Sequence, residues 1–178
     1  MKSLFTIILA CFALSSASPA QQAHYRKHGP AVLPDPRVTP GKVNEELAKV
    51  NPKTGLPKIC DDDFRTEPYR HVTPAMHRAV YAEYGVQPDK GMCAGGCEDD
   101  HLISIELAGD NDNSNRWPQP SRGVGYHVKD IEEGALHRMV CSDKITLGEA
   151  QKCIAADWYA CGIRLGIFDA RGHYLGNK

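Results

Sequence analysis

Beyond its first twenty residues the chain carries six cysteines, Cys60, Cys93, Cys97, Cys141, Cys153 and Cys161, and these constrain the fold more than any other feature. A seventh, Cys11, sits inside LFTIILACFAL, an apolar run behind Lys2 that is too short to span a bilayer and is followed by the small residues SASPA. Residues 1–20 therefore read as a secretory signal peptide cleaved after Ala20, which predicts a secreted chain, extracellular or periplasmic. An even set of cysteines in an exported chain predicts a disulfide framework whose connectivity is open. Cys141 and Cys153 flank a helix–turn–helix and are candidates for one bond. Cys153 and Cys161 can bond only if the helix between them breaks, because eight residues of continuous helix separate two Cα atoms by roughly 12 Å. No other apolar run is long enough for a membrane helix, so no membrane association is expected after cleavage. Without Lys2 the chain has 20 basic residues against 22 acidic ones, which argues against a tight, non-specific coat for duplex DNA.

Residues 21–58 are rich in Pro, Gly and polar residues without a sustained apolar period, and read as a flexible leader with a short helix at VNEELAKV. A compact domain is expected over 59–165. Within it HVTPAMHRAVYAEYGV predicts a helix with Thr73 as N-cap, Pro74 as first residue and Gly85 as stop, burying Ala75, Ala79, Val80 and Tyr84. LISIEL predicts a strand and NRWPQP a second extended segment. From Tyr126 a helical spacing of Ile131, Ala135, Leu136, Met139 and Val140 runs to Cys141. Thr146 and Glu149 form a capping box for a further helix ending at Gly162. Residues 166–178 read as a tail or short hairpin around DARG. The fold class is α+β, a small helix-rich domain stapled by disulfides.

The chemistry-bearing residues cluster in EDDHLISIELAGDNDNSNRWPQP and just after it. Asp100-His101, Asn115 and His127 form a spaced set of base-and-metal residue types. Hydrolysis of a phosphodiester needs a base for the attacking water, and a histidine titrates near working pH. It also needs a divalent cation, Mg²⁺, Mn²⁺ or Zn²⁺, to neutralise charge developing on the phosphate. Asp100 and His127 are candidate metal ligands, His101 the candidate base, and Asn115 a loop-fixing residue through side-chain to backbone hydrogen bonds. Asp130, Glu133 and His137, three and four residues apart on one helical face, are alternative ligands or an ion-pair cluster. Cys93-x₃-Cys97 with His101 invites a zinc reading, which the export signal turns towards a disulfide.

DHLISIELAGDNDNSNRWPQP resembles the DH-x-[ILV]-P-L-x-x-GG-x-N-x-x-x-N-L-W-P-Q segment of HNH, or ββα-metal, endonucleases and exported HNH-like proteins. YHVKDIEEGALHRMVCSDKITLGEAQKCIAADW is similar to the K-D-x-x-E-x-x-L-H-x-x-V-C and L-x-E-A-Q-x-x-I-x-x-D-W blocks of the exported group. ICDDDFRTEPYRHVTPAMHRAVYAEYG looks like its lead-in. The likeness runs from Ile59 to Trp158. It implies a ββα-metal core, His101 as general base, Asp100 as metal ligand, Asn115 as the loop-fixing asparagine and Trp117 packed beneath the motif. It further implies nucleic acid, DNA or RNA, as substrate. The chain departs from the pattern at Ser104, where a proline is usual, at Ala108-Gly109 for the glycine pair, and after His127, where Asp130 and Ile131 replace a His or Asn. A non-catalytic exported effector or binding module on the same scaffold is the alternative reading.

Overall fold

The computed structural model describes residues 24–176; the signal peptide assigned to 1–20 lies outside them. Two β-hairpins and four helices make a small α+β domain. Strands β1 (Tyr25–His28) and β2 (Ala31–Pro34) pair antiparallel, and α1 (Glu45–Ala48) follows. Helix α2 (Pro74–Glu83) leads into a second antiparallel hairpin of β3 (Cys97–His101) and β4 (Arg116–Pro120). Helices α3 (Tyr126–Cys141) and α4 (Leu147–Arg164) complete the domain. Among the described residues no helix is long and apolar enough to cross a membrane.

The segment read as a flexible leader is folded from residue 24 onward, which corrects the assignment of 21–58. Gly29, with φ of 55°, turns the β1–β2 hairpin, and Ala31 and Leu33 are buried in the main core. Asn44 caps α1 by accepting from the amides of Glu46 and Leu47, and Leu47 is fully buried. Trp158 Nε1 donates to the Val32 carbonyl and Tyr25 Oη to the Pro118 carbonyl. The segment lacks a sequence period because its partners are scattered across the chain rather than arranged on one facing element.

Helix α2 starts where its residues dictate, with the Met76 amide donating to Thr73 Oγ1 and Pro74 at the first turn. Its buried side is Val80, Tyr81 and Tyr84, whereas Ala75 and Ala79 face outward. The strand expected at LISIEL lies earlier, over Cys97–His101. Leu102 continues the pairing by donating to Asn115 O, and Ile105–Leu107 form a single 3₁₀ turn. Ile103, Ile105 and Leu107 are buried in the main core and Leu102 in a second cluster with Tyr84 and Trp117, so this run packs on both sides and loses the alternation of a half-exposed strand.

Helix α4 begins on the Thr146–Glu149 capping box. It passes through Gly162, which was expected to end it; a Cβ at Gly162 would lie 2.3 Å from the Phe168 ring, so the glycine admits that ring against the helix. The helix breaks instead at Asp157 (φ −169°, ψ 92°). There Asp157 Oδ1 accepts from the Ala160 amide, capping the second half, and Oδ2 pairs with His28 Nδ1 at 2.6 Å. This break brings the Cα atoms of Cys153 and Cys161 to 5.4 Å and permits their disulfide. The other bonds are Cys60–Cys141 and Cys93–Cys97, so Cys141 is joined to Cys60 rather than to Cys153. In the tail, Phe168 and Tyr174 form one antiparallel bridge around the Asp169 turn.

Asp157→Ala removes a cap from a buried-edge helix start, and unfolding in urea is expected to show a loss of about 1 kcal/mol relative to the parent.

Candidate functional site

Asp100 faces away from Asp99 and His101, because successive strand residues point to opposite faces. Asp99 is ion-paired through Oδ2 with the fully buried Arg116 across the hairpin, and the same oxygen is hydrogen-bonded to His77 Nδ1 of α2 at 3.0 Å. Asp100 points the other way, towards α3, where Lys129 Nζ lies 2.7 Å from its Oδ2. His101 pairs in register with Arg116, and its Nε2 donates to Asn111 Oδ1 at 3.1 Å. Asn111 Nδ2 donates to the Tyr69 carbonyl, which orients the amide and assigns the proton to His101 Nε2. Nδ1 is then the basic nitrogen. Burial pushes the His101 pKa down, with the Asp100 carboxylate opposing, so the ring is held neutral.

Asn115 sits at the centre of the loop between the strands. The amides of Ile103 and Lys42 donate to its Oδ1 (3.0 and 3.3 Å), and its Nδ2 donates to the carbonyls of Ile103 and Asp110 (both 2.9 Å). Four bonds from one fully buried side chain tie the loop to itself and to the segment before α1. Ala108 takes a left-handed conformation (φ 59°), and a Cβ on Gly109 would lie 1.7 Å from the Ile103 carbonyl oxygen. The second residue of the pair must therefore be glycine, while the first tolerates alanine. Trp117, fully buried, packs with Tyr84 and Leu102.

The residue that α3 delivers to Asp100 is a lysine. Lys129 is fully buried, and its ammonium donates to Asp100 Oδ2, to the His101 carbonyl at 2.6 Å and to Glu133 Oε1 one turn further along. His127 lies one turn before Asp130, with its side chain 73% exposed and an Nδ1–Oδ2 separation of 4.0 Å. Among the described residues, Asp100, His101 and His127 do not converge as a group of three donors; the group that does is Cys60, His137 and Cys141, whose donor atoms all lie within 4.8 Å of one another. His137 Nε2 donates to the Ile59 carbonyl and lies 3.5 Å from Cys141 Sγ.

Lys129 and Arg116 were not singled out in the sequence. Lys129, however, continues the buried stripe of α3 backward from Val140 through Leu136 and Glu132, and a charge on such a stripe marks a buried ion pair. One ammonium cannot neutralise two carboxylates. Burial, together with the Asp100 charge, pushes the Glu133 pKa from 4.5 up to about 8, so below that pH Glu133 is a neutral acid and the Asp100 carboxylate is the charge that holds Lys129 protonated against its burial. Glu132 is also fully buried, with no hydrogen-bond partner for either oxygen among the described residues, and desolvation raises its pKa well above the usual range.

Lys129→Met should lower stability by about 3–5 kcal/mol, since the buried Asp100 carboxylate is then left without its counter-charge, and adding Asp100→Asn and Glu133→Gln should recover much of it. Folded Glu133 keeps a proton that the unfolded chain releases near pH 4.5. Its contribution to stability is therefore complete below that pH and is lost as pH rises through about 8. Urea midpoints measured across this window should fall with rising pH, and with a shallower slope in Glu133→Gln. Comparison of the chain with protein-family models, curated proteins and solved structures returns no match.

Proposed function

We propose that this chain is an exported, disulfide-stapled binding module on an HNH-like frame in which an ammonium replaces the catalytic cation. The observation that carries this reading is the position of Lys129 Nζ, between the Asp100 carboxylate, the Glu133 carboxyl group and the His101 carbonyl. These three oxygens are the donor types that a hard divalent ion takes from a protein. With Lys129 bonded to all three, the ammonium stands where a divalent ion would have to sit to take those oxygens as ligands and present open positions to a substrate phosphate. His127, exposed on the first turn of α3, stands apart as a surface histidine paired with Asp130.

The second reading, a metal-dependent nuclease acting on DNA or RNA with Mg²⁺, Mn²⁺ or Zn²⁺, draws support from His101. Its ring is neutral, its proton is assigned to Nε2, and its loop is braced by Asn115. A general base needs those properties. In this reading Asp100 holds the ion only after Lys129 is displaced.

The two readings separate in one set of measurements. Under the binding-module reading, the mature protein leaves plasmid DNA and RNA intact with Mg²⁺, Mn²⁺ or Zn²⁺. Added Mn²⁺ then leaves the wild-type melting temperature unchanged but raises that of Lys129→Ala, where Asp100 and Glu133 are free to share the ion. Cleavage by the wild type that disappears in His101→Ala would overturn the binding-module reading in favour of the nuclease.

A further inference from the structure

The Cys60–Cys141 disulfide lies beside an imidazole that has no part in the Asp100 site. His137 and Cys141 are four residues apart on α3 and project on the same side, and Cys60 ends a 3₁₀ turn, Lys58–Cys60, packed on that helix. Three soft or borderline donors from two elements therefore lie within 4.8 Å of one another, and each is only partly buried. Neither Cys93–Cys97 nor Cys153–Cys161 has a third histidine, cysteine or carboxylate donor at that distance among the described residues.

We infer that reduction of the Cys60–Cys141 bond by a dithiol converts this staple into a Zn²⁺ site made of Cys60, His137 and Cys141, with water in the fourth position. The reductant's two thiols are oxidised to its own disulfide while the protein bond becomes two thiols. Binding of Zn²⁺ by the two cysteines then releases two protons and gives two thiolate–zinc bonds. His137 ligates through Nε2, the nitrogen facing Cys141 Sγ. Its proton moves from Nε2 to Nδ1, and the hydrogen bond to the Ile59 carbonyl is exchanged for the metal. Tetrahedral Zn²⁺ with Zn–S near 2.3 Å and Zn–N near 2.0 Å asks for donors roughly 3.5–3.8 Å apart. The Nε2–Sγ distance of 3.5 Å meets this already, so the change needed is separation of the two sulfurs, which side-chain rotation supplies. Oxidised, the same atoms form a covalent staple; reduced and metal-bound, they hold the same two elements together. The open fourth position is the arrangement of zinc sites that accept an exogenous ligand.

The experiment uses the mature protein, oxidised and after dithiol reduction, titrated with Co²⁺ as a spectroscopic probe and with Zn²⁺ against a chromophoric chelator. One equivalent of Co²⁺ should give thiolate-to-metal charge-transfer absorption in the reduced protein and none in the oxidised protein. Cys141→Ser should abolish the band. His137→Gln, which can still donate to the Ile59 carbonyl, should weaken Zn²⁺ by more than about tenfold while the far-UV circular dichroism stays native. Cys93→Ser/Cys97→Ser should bind as the parent does. The inference is overturned if the reduced protein gives no band, if the band is indifferent to His137→Gln and Cys141→Ser, or if reduction abolishes the native circular dichroism.

Discussion

The buried ammonium of Lys129 is the interaction on which the centre of the molecule depends. It is the point at which the second hairpin and α3 meet, and it bonds to a side chain of β3, to the β3 backbone and to a residue of its own helix. A charge without water needs its compensation built in, and that requirement positions Asp100 and Glu133 on facing elements. The opposite face of the same hairpin repeats the device with Arg116 and Asp99, so the strands are held between two buried cations. The run of acids thereby passes from an exposed Glu98 to a buried Asp100 within one strand, against a partner strand that is buried throughout. Excess acid remains, and the protein accommodates it by keeping a proton on Glu133 and burying Glu132, which has no hydrogen-bond partner among the described residues.

The disulfides act at different scales. Cys60–Cys141 joins residues 81 apart and ties the segment before α2 to the end of α3. Cys93–Cys97 closes the turn that feeds β3, and Cys153–Cys161 bridges the break in α4. The last depends on Asp157: an unbroken helix would hold those cysteines apart, and the side chain that caps the second half makes the bend. The bond is a consequence of the break, since only the bend brings the two cysteines within reach.

Legibility followed the range of the interaction. Thr73 with Pro74 and Thr146 with Glu149 are caps made within a few residues, and both were readable from the chain. The condition set for a Cys153–Cys161 bond was readable too, but the break at Asp157 was not, because it also depends on His28 far away in sequence. The apolar run at LISIEL suggested a strand because its burial on all sides erased the period that separates strand from packed loop. The polar EDDH carries no strand signal of its own, because the cations that make it tolerable in a strand lie 17 and 29 residues downstream. In the candidate site, Asn115 and His101 were legible as residue types in a recurring string. The partner on α3 was legible only as a position, and a lysine fills it.

The first hairpin has a consequence for the order in which the molecule can be completed. β1 and β2 are the first described elements to be synthesised, yet their partners are Pro118, Val124 and Trp158. Loops of that length close slowly, since the entropy of bringing distant segments together is spent before the contacts form. The first hairpin can pair within itself, but its docking must wait until α4 has been made, so the earliest described strands are among the last to find their place in the core.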